Sequence, residues 1–308
     1  MTGTTALLAA PPAECDAPAG GRAFWLTASD GVRLRLAYWP GARPVLILPG
    51  RTEYIEKYGL VVASLAAAGR GALVIDWRGQ GLSDRALPDP LKGHVGDFSE
   101  YQRDLDAVLA AAETLTPGPL PWLAHSMGGC IALRGLMRGK RPPSVAFSAP
   151  MLGLAQAPAL TRVMRILAAV TRPFGGDLGY TPTTGPDHGL PSMAFDDNTL
   201  TRDRAQFDRM KAQVLADPRL ALGGPSLRWM GAALREMAAL ASMPSPSVPA
   251  LFGLGGNERI VSAAAIRDRA RRWPGATLEE YPKAEHELTM ERSMTRDDFL
   301  RRAIALFD

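Results

Sequence analysis

Ser126 stands in the stretch Leu123-Ala124-His125-Ser126-Met127-Gly128-Gly129, between an apolar run that reads as a strand and a stretch that reads as a helix. A serine hydroxyl is a weak nucleophile. It needs a base to take its proton, and donors to hold the negative charge that follows attack. A strand–Ser–helix junction can present such a hydroxyl on a tight, strained turn, provided its neighbours are small. Gly128 is one such neighbour. Ala124 is the other, so the motif is A-x-S-x-G rather than G-x-S-x-G. Free N–H groups at the start of the following helix favour a developing anion. The competing reading makes Ser126 a plain helix N-cap. The regular strand–helix rhythm around it favours the nucleophile.

The base comes from only four histidines: His94, His125, His188 and His286. His125 adjoins the serine, so its side chain points elsewhere and packs beneath the turn. His94 precedes the serine in an upstream loop, and His188 falls in a segment that interrupts the strand–helix rhythm, where it could touch substrate. His286 follows the last strand-like run, in the order Ser–acid–His. The acid is expected after the strand 250–254. There Gly255-Gly256-Asn257-Glu258-Arg259-Ile260-Val261 holds one carboxylate, Glu258. Its task would be to fix the imidazole tautomer and stabilise the imidazolium. Glu285 is the rival acid. For the oxyanion, the candidate donors are the N–H of Met127, next after the serine, and the N–H of Arg51. Arg51 follows Gly50, which lets the backbone approach closely. An ordinary strand-to-helix turn is the alternative for the Arg51 loop.

These residues need a scaffold. Alternation on either side of Asp30-Gly31 predicts a β-hairpin. From Val45 onward, short apolar runs (45–48, 72–75, 120–124, 144–147, 250–254, 276–279) alternate with helical stretches (about 53–68, 98–114, 127–138, 262–272, 295–307). That rhythm implies an α/β protein, a mostly parallel sheet with helices on both faces. The rhythm breaks at Ala149-Pro150. Residues 151–245 carry helical patterns at about 158–171, 201–216 and 226–241 and no convincing strand. The expected organisation is a flexible leader over 1–21, a catalytic core over 22–150 and 246–308, and an inserted helical lid over 151–245.

Composition excludes some classes. Five of the 35 basic residues are Lys and the rest Arg, and the net charge is only +4. Acids are interspersed with bases and no basic run of five occurs, so a nucleic-acid partner is not expected. The N-terminal stretch lacks a basic segment and a long apolar core, and no apolar run reaches 18 residues. Neither a signal peptide nor a membrane span is expected. Two cysteines, Cys15 and Cys130, suit a reducing compartment. The expected location is cytoplasmic, with peripheral contact at the inner membrane surface left open. The chemistry requires no cofactor and no metal.

Taken together, Leu48-Pro49-Gly50-Arg51-Thr52-Glu53-Tyr54, Asp76-Trp77-Arg78-Gly79-Gln80-Gly81-Leu82-Ser83, the Ser126 junction and Gly256-Asn257-Glu258-Arg259-Ile260-Val261 with His286 resemble the α/β-hydrolase lipases of the monoacylglycerol lipase and lysophospholipase group. The resemblance covers roughly 22–150 and 246–308. Phe195, Asn198, Leu200, Thr201 and Asp203 also resemble the start of the long lid helix in the lysophospholipase branch. Pro49 replaces a frequent His, Ala124 a Gly, and Glu258 the commoner Asp. The resemblance implies hydrolysis of the carboxylic ester of a single-chain lipid, a lysophospholipid or monoacylglycerol, through a Ser126–His286–Glu258 triad and an acyl-enzyme. It reads the segment 76–83 as structural. Lid residues Leu160, Val163, Met164, Leu167, Trp229, Met230, Leu234 and Met237 could line an acyl pocket or form plain core. General carboxylesterase, amidase, C–C hydrolase or perhydrolase chemistry stays open, as does a non-catalytic binding protein on the same scaffold. Epoxide hydrolysis and dehalogenation are disfavoured, since they want a carboxylate where Ser126 stands.

Overall fold

The structure is a computed structural model that describes residues 7–10, 13, 15–116, 118–182, 184–187 and 189–308. The apolar runs become strands: β1 (Leu8–Ala9), β2 (Arg22–Thr27), β3 (Arg33–Trp39), β4 (Ala42–Leu48), β5 (Arg70–Asp76), β6 (Trp122–His125), β7 (Val145–Ser148), β8 (Ala250–Gly255) and β9 (Thr277–Tyr281). They lie in the order β1-β2-β3-β5-β4-β6-β7-β8-β9. Strands β1, β2, β3 and β5 pair antiparallel, and the sheet from β5 to β9 is parallel. The β2–β3 hairpin turns at Asp30-Gly31, where Gly31 has φ 86°.

Alternate residues of each buried strand feed opposite faces, as the two-residue pleat requires. Leu46 and Leu48 of β4 join the core under helices α2 (Ser99–Leu115), α3 (Met127–Met137) and α7 (Ala263–Arg271). Val45 and Ile47 join the core under α1 (Gly59–Ala67) and α8 (Ser293–Phe307). Burial on both faces explains why these strands read as continuous apolar runs.

Between β7 and β8 come α4 (Pro158–Thr171), α5 (Arg204–Ala216) and α6 (Leu227–Ser242). Trp229, Leu234 and Met237 of α6 belong to the main core. Phe207, Met210 and Val214 of α5 form a satellite core with Tyr54. Two residues of the expected lid stripe do neither of the jobs foreseen for them. Leu160 is 44% exposed and Val163 55%, so they line neither a pocket nor a core. They share an outer face of α4 with Ile166 and Val170, and Phe174 just beyond it is exposed as well.

Within the expected leader over 1–21, the described residues make defined contacts with the core. Leu8 and Ala9 pair with Trp25 and Phe24, and the Ala10 N–H donates to the Ala23 carbonyl at 3.0 Å. Cys15 and Ala17 pack on the α1 side of the core. The cause is the open edge of β2, whose unpaired backbone groups accept another strand. Both cysteines are free thiols. Among the described residues, no helix is long and apolar enough to cross a membrane.

The segment 76–83 is structural in a specific way. Asp76 and Arg35 are both fully buried, with Arg35 Nε donating to Asp76 Oδ2 at 2.7 Å. Asp76 also accepts the N–H of Ile55 and of Leu82, each at 2.9 Å. It therefore pins the end of the loop after β4 to the end of β5. Removing one member of a buried ion pair strands its partner. Asp76→Ala should lower the unfolding free energy by about 3–5 kcal/mol in denaturant titration, and an unchanged midpoint would contradict this role.

Candidate active site

The nucleophile candidate sits where β6 ends and α3 begins. Ser126 has φ 48° and ψ −116°, a left-handed conformation that a residue with a side chain adopts only under strain. The turn is tied down on both sides. The Ser126 N–H donates to the Ser148 carbonyl at 3.0 Å, and the Ser126 carbonyl accepts from Met151 N–H at 2.8 Å. Side-chain size is limiting around it. A Cβ on Gly128 would run into the carbonyl oxygens of Leu48 and Pro49. Ala124 is fully buried in register between Leu48 and Phe147.

His286 Nδ1 lies 2.7 Å from Glu258 Oε2. The other carboxylate oxygen of Glu258 accepts the N–H of Ile260 at 2.7 Å and of Val261 at 3.0 Å. Burial raises the Glu258 carboxyl, but the hydrogen bond and charge of His286 and the two backbone N–H groups outweigh it, so the group lies below its ordinary value. An ionised Glu258 accepts a hydrogen bond from the His286 Nδ1–H and so leaves Nε2 as the acceptor. The rival acid is committed elsewhere: Glu285 receives Arg202 Nε at 3.1 Å and lies 3.5 Å from Arg259. The first residues of the expected lid helix clamp this loop, since His286 N–H donates to Thr199 and Glu287 N–H to Leu200.

His286 packs against His125, the residue that precedes Ser126 at the end of β6. The His125 and His286 ring centroids are 4.8 Å apart. A hydrogen bond from Ser126 Oγ to His286 is not among those the described residues form. Such contacts commonly tighten only with substrate bound. His125 points beneath the turn, with Nδ1 3.0 Å from the Ser148 carbonyl. Burial pulls it down to about 3, so it stays neutral. His94 is also buried, and its Nδ1 meets Ser226 Oγ at 2.8 Å. His188 lies outside the described residues.

The oxyanion candidates are free to act. Neither the Arg51 nor the Met127 N–H has an acceptor among the described residues. The loop carrying Arg51 lies against the turn: a Cβ on Gly50 would come 3.1 Å from Ser126 Cβ. Thr52 holds φ 63°, a second strained residue beside the site.

A buried charge cluster beneath the site was not foreseen. Glu53 accepts the Gly50 N–H and the Lys57 ammonium, and Tyr58 Oη donates to it at 2.6 Å. Lys57 also pairs with Glu287, next to His286. Burial opposes ionisation of Glu53, but the charge of Lys57 and the hydrogen bonds from Lys57 and Tyr58 prevail and hold it down to about 2. The one sequence clue was an acid and a base four residues apart in an otherwise buried stretch. Ligand atoms of Glu53, His125 and Glu287 converge within 4.8 Å, as a metal site would need. The Lys57 ammonium already bridges the two carboxylates and supplies the positive charge there.

Comparison with known proteins places this geometry in context. The family model described as serine aminopeptidase, S33 (Hydrolase_4) matches residues 42–293. Lysophospholipase L2 of Escherichia coli K12 is 35% identical over 227 residues, covering 71% of this chain and 64% of that protein. The chain thus spans just under two thirds of the length of that relative. The probable lysophospholipase L2 of Haemophilus influenzae is 26% identical over 265 residues, covering 83% of this chain and 81% of that protein. A soluble variant of monoglyceride lipase from Saccharomyces cerevisiae, solved with a substrate analog, superposes with a TM-score of 0.71 at 20% identity, covering 92% of this chain and 94% of that one. This likeness shows the fold, which is the α/β-hydrolase fold.

Fluorophosphonate labelling requires an activated serine. An amide at position 258 cannot offset the imidazolium and stabilises the wrong tautomer, so Glu258→Gln should slow labelling by roughly 10²–10⁴-fold. An unchanged labelling rate in this variant would remove Glu258 from the assignment.

Proposed function

The chain belongs to the serine aminopeptidase, S33 family, and from that premise we propose that it is a serine hydrolase of single-chain lipid esters, lysophospholipids or monoacylglycerols. The observation that carries the reading is the His286–Glu258 hydrogen bond beside the strained Ser126 turn. In the first step His286 Nε2 takes the hydroxyl proton as Ser126 Oγ attacks the ester carbonyl. The N–H groups of Arg51 and Met127 hold the oxyanion. The imidazolium, balanced by Glu258, then protonates the departing alcohol. In the second step water attacks the acyl-enzyme, with His286 again as base, and the fatty acid leaves. The residues of this chain suffice for both steps without a cofactor.

Two features support a lipid substrate. Curated relatives bear the name lysophospholipase. The outer face of α4 is the other: Leu160, Val163, Ile166 and Val170 are exposed along one side, followed by Phe174 at 88% exposure. Arg162, Arg165 and Arg172 share the segment, residues 157–176 contain no acid, and Arg235 of the neighbouring α6 adds a further charge. A basic helix with an exposed apolar face suits an anionic lipid surface. We therefore place the enzyme in the cytoplasm, docking peripherally on the inner membrane surface through α4. The two free thiols agree with a reducing compartment.

The lipid panel is the decisive assay. Purified protein should hydrolyse lysophospholipids or monoacylglycerols faster than amides, and Ser126→Ala should lose roughly 10⁴-fold or more in kcat. Turnover of amides in preference to esters, or normal turnover in the variant, would overturn the reading. Vesicle sedimentation checks the docking face. Protein should pellet with phosphatidylglycerol vesicles, less so at high salt, and the double variant Ile166→Glu, Phe174→Glu should stay in the supernatant. Equal binding to neutral vesicles, or undiminished binding by the variant, would contradict it.

A further inference from the structure

Arg51 contributes more than its backbone N–H. Three of the buried guanidinium groups face carboxylates: Arg35 meets Asp76 and Glu56, Arg70 meets Asp308, and Arg78 meets Asp104, whereas Arg269 is met by the carbonyls of Leu240 and Met243 and by Ser245 Oγ. Arg51 has no carboxylate partner among the described residues. Its Nη2 donates to the Gly223 carbonyl at 2.6 Å, and its guanidinium carbon lies 5.2 Å from the Trp229 ring centroid. Its Nε is sealed from solvent and has no acceptor. Space for the group exists because residue 93 is glycine, where a Cβ would collide with the guanidinium. Burial alone draws Arg51 down to about 10, with the neighbouring Tyr101 acting weakly the other way. An unpaired buried N–H on a cation is costly unless something fills it.

A second donor stands nearby. Tyr101 Oη accepts from Trp229 Nε1 at 3.0 Å, and its own proton has no acceptor among the described residues. Trp229 thus touches both Arg51 and Tyr101. The cationic group and the spare hydroxyl both belong to the wall where the core meets the lid, starting from the residue that offers its N–H to the oxyanion.

Resting on the esterase reading, we infer that Arg51 is the anion-reading residue of the leaving-group side, and that its ligand is the phosphodiester of a lysophospholipid headgroup. The dimensions agree. From the Arg51 backbone nitrogen to its guanidinium carbon there are as many bonds as from the ester carbonyl carbon to the phosphorus of a lysophospholipid acylated at the first glycerol carbon. With the oxyanion at the Arg51 N–H, the phosphate and the guanidinium are thus equally many bonds away from that contact. A planar fork of N–H donors suits phosphate oxygens better than a point charge does. A monoacylglycerol offers that group only neutral hydroxyl acceptors, without the charge of a phosphate.

The test compares two monomeric substrates with the same short acyl chain, a lysophosphatidylcholine and a monoacylglycerol, on full-length protein. The readout is the ratio of their kcat/KM values. Wild type should favour the lysophospholipid. Arg51→Met should cut the ratio by roughly 10–100-fold, as loss of a charge-assisted hydrogen bond implies, and Arg51→Lys should fall between. Equal losses on both substrates would make Arg51 a clamp between lid and core and overturn the inference while leaving the esterase intact. Failure of wild type to cleave either ester would instead sink the reading beneath it. Wild-type protein alone gives a second check on p-nitrophenyl butyrate hydrolysis. Glycerophosphocholine should inhibit competitively where glycerol and inorganic phosphate at equal concentration do not. Equal inhibition by inorganic phosphate would assign a free-anion site, and no inhibition by glycerophosphocholine would overturn the assignment.

Discussion

The backbone at Ser126 is the constraint on which the rest of the site depends. A non-glycine residue at φ 48° costs on the order of 1–3 kcal/mol and persists only where its surroundings leave it no alternative. Here the surroundings do so. Strand β6 is fixed by hydrogen bonds between β4 and β7, and α3 must start at once because Gly128 presses on the Leu48 and Pro49 carbonyls. The strain lifts the hydroxyl out of the strand and leaves the Met127 N–H unpaired. In the proposed mechanism, one geometric compromise thus serves both the nucleophile and a donor for the charge it creates.

Beneath the turn, buried charge does the positioning. Glu53 accepts the Gly50 N–H, one peptide before the Arg51 N–H, and so anchors that loop. The same carboxylate is tied through Lys57 to Glu287, which neighbours His286. The loop after β4 and the loop after β9 are therefore coupled by an ion network as well as by the shared apolar core to which Ile55, Tyr58, Leu288 and Met290 belong. Such a network stabilises little over a hydrophobic replacement, yet removing one member is expensive because it strands the others. Its value lies in fixing two loops from distant parts of the chain in one register, which is what a preorganised site requires.

Much of the fold was legible, and the reasons are local. Strands buried on both faces have to be continuous apolar runs, so β4, β5 and β8 announced themselves. Ser126 declared its junction through the small residues beside it. What escaped notice depended on distant partners. Leu8 and Ala9 look like any short apolar stretch until the open edge of β2 is placed beside them. The α4 helix was expected over 158–171 and lies there, but the helical period of an apolar stripe is the same whether it faces a core or a lipid surface. Nothing in the sequence singles out Glu53, Lys57 and Glu287 as buried, because charged residues usually lie at the surface. Arg51 was chosen for its N–H, and only the three-dimensional arrangement reveals that its side chain lacks a counter-ion.

In the proposed mechanism a strained serine, an oriented imidazole and two backbone donors act at one edge of a parallel sheet, beside inserted helices whose outer face suits an anionic lipid surface. The mechanism's central claim is that the ester's acyl group passes through a covalent bond to Ser126. The most direct measurement is rapid acid quench during turnover of a lysophospholipid, followed by mass spectrometry of the intact chain and its peptides. The account predicts a transient gain of one acyl group, carried by the peptide containing Ser126. Turnover with no such adduct, or with the acyl group on another residue, would contradict it.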